Sequence, residues 1–75
     1  MARLPILKAR DVIRVLHKLG FVSIRQTGSH EFFKHPDGRK TSVPSHGGKE
    51  DVRHTLMHQI LRQVETDYEE FMKWL

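Results

Sequence analysis

Two runs that alternate in polarity, Phe21 to Thr27 and His30 to His35, are separated only by Gly28 and Ser29. A connection of two residues joins neighbouring antiparallel strands, because a parallel pair needs a crossover of a dozen residues or more. Pro36-Asp37-Gly38 follows as a second turn, with proline presetting φ and glycine supplying the positive φ. The chain then returns through Arg39 to Pro44, giving a three-stranded meander. Regular alternation sends Val22, Ile24 and Gln26 to one side of the first strand and Phe21, Ser23, Arg25 and Thr27 to the other.

Helical periodicity flanks this meander. From about Lys8 to Leu19 the apolar residues fall at Val12, Ile13, Val15, Leu16 and Leu19, and Arg10, Arg14, His17 and Lys18 mark the wet side. Gly20 follows as a left-handed C-terminal cap. Ahead of this helix, Arg3 to Leu7 reads as an extended lead-in, with Pro5 biasing Leu4 away from helix. After a Ser45–Lys49 loop, a second helix begins between Asp51 and His54 and buries Leu56, Met57, Ile60, Leu61 and Val64. Thr66 and Glu69 have capping-box spacing, and a short third helix follows with Tyr68, Phe71, Met72 and Leu75 inward. Trp74 is expected to fold back on the core, with a protein contact as its other reading. The fold class is α+β: α-β-β-β-α in one domain over residues 1–75, helices on one face of the sheet, plus a short C-terminal helix.

A chain of 75 residues buries only about 60% of its unfolded surface. Any site therefore lies on the surface or in a shallow groove. Without cysteine there is no disulfide and no thiolate metal site. The N-terminus lacks the apolar core of a signal peptide, and no stretch has the length of a membrane span, so a soluble, cytoplasmic protein is the expectation. Residues 1–49 hold ten Lys/Arg against three acids, whereas residues 50–75 hold three against six. A basic body with an acidic tail suits a polyanionic partner such as nucleic acid, although a merely solvated surface has the same composition.

His30 is the candidate for chemistry. The period of two puts His30, Phe32 and Lys34 on one strand face and Glu31, Phe33 and His35 on the other. Only one face can lie under the helices. If the His30 face is open, an imidazole stands beside an ammonium on a basic surface, which is the inventory RNA cleavage needs. A base takes the 2′-hydroxyl proton, cations stabilise the phosphorane and an acid protonates the leaving 5′-oxygen. No metal or other cofactor is required, because the substrate carries its own nucleophile. The structural alternative is a hairpin histidine bonded to nearby backbone. Gly28 and Ser29 shape the turn before it, and Arg25, Lys34, Arg39 and Lys40 are candidate phosphate contacts. Gly47-Gly48-Lys49 leads toward a helix N-terminus, where Lys49 and free amides suit a phosphate. His46 in that loop is a possible second proton carrier. His54 and His58 have i, i+4 spacing, but Thr55 stands where a metalloprotease has Glu, so a solvated helix face is the reading there.

The segments Leu19-Gly20-Phe21, Gln26-x-Gly28-Ser29-His30, His35-Pro36-Asp37-Gly38-Arg39, Val43-Pro44-x-His46-x-Gly48-x-Glu50 and Leu61-Arg62-Gln63 together resemble the HicA (YcfA-like) toxins of toxin–antitoxin pairs. The resemblance spans about Leu4 to Leu75. It implies a fold similar to a double-stranded RNA-binding domain and an mRNA-cleaving endoribonuclease whose essential histidine is His30. It also implies a HicB-type antitoxin that covers that histidine. Two departures stand out. His54-Thr55 replaces a frequent Gly-Thr at the second helix, and Val64-Glu65 replaces the usual Ala-Gly after Leu61-Arg62-Gln63; both bear on helix ends. Two other classes remain open: a non-catalytic module that binds duplex RNA by shape, and a protein-interaction module using the acidic C-terminal helix.

Overall fold

The computed structural model describes residues 5–75. Its elements are β1 (Leu7–Lys8), α1 (Ala9–Lys18), β2 (Val22–Thr27), β3 (His30–Lys34), β4 (Lys40–Pro44), β5 (Asp51–Val52), α2 (His54–Gln63) and α3 (Tyr68–Met72). β2, β3 and β4 form the expected antiparallel meander in that spatial order. β1 and β5 form a separate antiparallel ladder that periodicity did not indicate, with Leu7 opposite Val52 and Lys8 opposite Asp51. The extended lead-in is thus realised in part as β1, while the expectation for Arg3 and Leu4 lies outside the described residues.

One core sits between the helices and one face of the meander. Val12, Val15 and Leu16 of α1, Met57, Ile60 and Leu61 of α2, Phe33 and Val43 of the sheet, and Phe71 of α3 are all buried. They converge because the α1 stripe and the Phe33 side of β3 each present an apolar surface that a thin layer can enclose. The Lys8 ammonium bonds the Asp51 carboxylate at 2.7 Å across the small ladder, which lowers the Asp51 pKa. The Tyr68 hydroxyl donates to the Pro5 carbonyl at 2.8 Å, and burial raises its pKa.

α1 and α2 end in the same way. Phe21 N–H bonds Leu16 O at 2.9 Å and Gly20 N–H bonds His17 O at 3.1 Å. In α2, Thr66 N–H bonds Leu61 O at 3.0 Å and Glu65 N–H bonds Arg62 O at 3.2 Å. Both are Schellman motifs, which place the residue after the cap in the left-handed region. Gly20 takes that position at φ 99°, as expected, whereas α2 puts Glu65 there at φ 58°. A side chain with a Cβ is penalised in this region and glycine is not. Glu65→Gly should therefore stabilise the fold by about 0.5–1 kcal/mol, the strain relieved less the extra chain entropy of glycine. Urea denaturation with an unchanged m-value would measure it, and a destabilised variant would contradict the assignment.

The second motif also explains a correction. Thr66 is used to close α2, so it does not cap α3. The cap is Asp67, whose Oδ1 accepts from Glu70 N–H at 2.8 Å; the Thr66–Glu69 box is not formed. α3 stops at Met72, so Leu75 leaves the expected stripe and is exposed. Trp74 is also exposed instead of folding onto the core, and its indole N–H reaches the Glu70 carboxylate at 3.3 Å.

Candidate active site

The buried face of β3 carries Phe33, fully enclosed, so His30, Phe32 and Lys34 occupy the open face. Strand register then decides what stands beside them. Residues directly opposite in an antiparallel pair share a face. Thr27 and Pro44 flank His30, Arg25 and Ser42 flank Phe32, and Val22 and Lys40 flank Lys34. The open face therefore gathers Arg25, His30, Lys34 and Lys40, and no carboxylate occupies any of these positions.

Arg25 reaches this face through a departure from regular alternation. The β2–β3 register slips between Ser23 and Arg25, leaving Ile24 as an extra residue on β2. Such a bulge re-aims the side chains that follow it. Ser23 still opposes Phe33 on the helix side, but Arg25 opposes Phe32 on the open side. The Arg25 guanidinium carbon lies 4.6 Å from the Phe32 ring centroid, within cation–π range.

His30 stands at the end of the hairpin and is exposed. Gly28, at φ 58°, and Ser29 form the connection before it. Among the described residues the His30 imidazole has no hydrogen-bond or ion-pair partner, so the backbone-anchored alternative has no bond to support it. The Ser29 carbonyl accepts from Ser45 N–H. That bond joins the His30 turn to the loop after β4, which carries the exposed His46 and Lys49.

The loop does not lead into a helix N-terminus as expected, because β5 and Arg53 intervene before α2. It docks instead on the start of α1. Gly48 O accepts from Arg10 N–H at 3.0 Å and Glu50 O from Ala9 N–H at 2.8 Å, so these first-turn amides are already bonded to protein. Gly48 is buried at φ 81°, and a Cβ there would meet the Arg10 Cβ at 2.8 Å. The close approach of backbone to helix requires glycine at this point.

Arg39 takes a structural post that its charge did not suggest. Its Nε donates to Asp37 Oδ2 at 2.8 Å, its Nη1 donates to the Val64 carbonyl at the end of α2, and its guanidinium lies 5.1 Å from the Phe21 ring centroid. The bond from the Arg39 amide to Asp37 Oδ1 is the main cause of a lowered Asp37 pKa, with the Arg39 side chain and His35 adding to it. His35 accepts from Asp37 N–H at 3.1 Å and packs edge-on against Phe21 at 5.1 Å. Arg39 thus fixes the turn and the α2 terminus. Arg25, Lys34, Lys40 and Lys49 remain exposed, without a carboxylate partner among the described residues. No group of three or more metal-ligating side chains comes together among the described residues. Phe32 is the site residue that sequence reasoning left without a role, although its place two residues from His30 on the same face was readable.

Residues 9–65 match a family model described as the HicA toxin of bacterial toxin–antitoxin systems. The chain belongs to the HicA toxin family. No curated protein matches it significantly. The matched region of this HicA chain runs from the first residue of α1 to the strained Glu65, so it contains the whole meander, the His30 turn and the docked loop. Membership makes the chain the toxin of a toxin–antitoxin pair and implies a cognate antitoxin. No helix among the described residues is long and apolar enough to cross a membrane.

Proposed function

We propose that this HicA chain is a metal-independent endoribonuclease that cleaves mRNA with His30 as its acid–base residue. The observation that carries the reading is an exposed histidine, unpartnered among the described residues, on a sheet face whose charged positions there are all cations. Lys34 and Lys40 stand directly opposite each other, a pairing that disfavours folding unless an anion lies between or beside them. A phosphodiester meets that need. Arg25, Lys34, Lys40 and, from the docked loop, Lys49 hold the RNA backbone. The 2′-oxygen attacks phosphorus while its proton passes to a base, and the 5′-oxygen leaves with a proton from an acid. The products are a 2′,3′-cyclic phosphate and a 5′-hydroxyl. His30 serves in these transfers, and His46, Lys34 or water supplies its complement.

The partner that restrains the enzyme is a HicB-type antitoxin that covers His30 and presents acidic groups to the basic face. A non-catalytic duplex-binding module is the second reading, favoured only by the layout of α1, the meander and α2. Purified protein should cleave RNA in excess EDTA, and a single 2′-deoxy substitution at the cut site should block that cut. Cleavage that EDTA abolishes would remove the metal-free mechanism. Binding without cleavage would favour the module.

A further inference from the structure

We propose that Phe32, with the Arg25 guanidinium over its ring, is a platform for one unpaired nucleobase, which makes single-stranded RNA the substrate. The inference rests on the ribonuclease reading above and names the substrate class of that same site. Phe32 does not serve the core, which Phe33 fills from the other face. It stands partly exposed at the middle of the open face, across from the small Ser42. An aromatic ring surrounded by His30, Lys34, Lys40 and Arg25 is poorly placed for folding and well placed for a base with phosphates on either side.

The bulge supports the same conclusion. In a regular pairing, with Ile24 opposite Phe32, Arg25 would share the helix-facing side with Ser23. The slip carries the guanidinium carbon over the Phe32 ring at 4.6 Å, so a cation and a π-face are already paired. A base adds to such a pair by van der Waals and cation–π contact, and stacking tolerates any base because each has a π-face. Same-face neighbours on a strand are about 6.6 Å apart, so a base on Phe32 leaves the adjoining phosphodiester within reach of His30. In an A-form duplex the base faces are covered by their neighbours, and the platform has nothing to bind.

The test uses 2′-O-methyl RNA, which cannot be cut by its own 2′-oxygen, carrying one 2-aminopurine. Wild-type protein should bind the single strand more tightly than the matching duplex and quench the fluorophore. Phe32→Ala and Phe32→Leu should each weaken single-strand binding about 5- to 150-fold, and Phe32→Tyr should restore it. Thermal melting of Phe32→Leu should stay near wild type, separating lost stacking from lost fold. Equal binding by Phe32→Leu and wild type, or equal binding of duplex and single strand, would overturn the platform. So would a Phe32→Leu change that loosens only the antitoxin. Cleavage of unmodified RNA that ignores Phe32 refutes the platform and leaves the ribonuclease reading intact; base stacking without any cleavage does the reverse.

Discussion

Alanine at position 30 should leave a folded protein that binds RNA and does not cut it. A positioned histidine contributes about 10²–10⁴-fold to proton transfer, so turnover of His30→Ala should fall by that order. Folding should be nearly untouched. The imidazole is exposed and has no bonded partner among the described residues, and the turn before it depends on Gly28 and Ser29. Binding should persist because the cations proposed to hold phosphates remain. In cells making the toxin without its antitoxin, the variant should not arrest growth at a level where wild type does. Growth arrest equal to wild type at matched abundance would mean that the chemistry lies elsewhere.

The second large effect is one of stability. Phe33 is completely enclosed, its ring meets the edge of His17 from α1 at 5.7 Å, and it lies across the sheet from Ser23 and Thr41. Truncating such a ring costs about 3–5 kcal/mol, the lost transfer energy plus the cavity left behind. A domain of this size has about 4–11 kcal/mol in total. Phe33→Ala should therefore be largely unfolded near 37 °C or melt far below wild type by circular dichroism. Alanine at the adjacent Phe32 should shift the melting point only slightly. Similar melting of both variants would mean that the faces of β3 have been assigned wrongly.

The meander, the two main helices and the parity of β3 were legible because each rests on a periodic run of at least five residues or on strong turn chemistry. The left-handed Gly20 was legible for the same reason. β1 and β5 were not, since two residues carry no period and their partners, Lys8 and Asp51, lie 43 positions apart. The Asp67 cap was missed because the Schellman closure of α2 takes Thr66 first. The glycine expected of the family at position 65 had pointed to a helix end, and the strain of Glu65 now marks it. At the candidate site, His30, Phe32 and Lys34 could be placed on one face from the period of β3, but what the neighbouring strands add to that face could not. Arg25 joins the face only through a register slip that no local pattern announces. The bonds of Arg39 to Asp37 and the Val64 carbonyl, and its approach to Phe21, were equally hidden, because Val64 and Phe21 are remote from it in sequence.

The bulge at Ile24 also bears on how the protein behaves at high concentration. β2 is the outer strand of the meander, none of its residues is buried, and Val22 and Ile24 are more than half exposed. A bare, apolar strand edge is a template on which another chain can add. An extra residue near the middle interrupts that template. An incoming regular strand would match only a short run of hydrogen bonds before falling out of step, and Arg25 would set charge against charge between two copies. The irregularity that aims a cation at the ring thus also resists fibrous self-assembly. Shortening β2 by deletion of Ile24 should turn a well-behaved solution into one that precipitates.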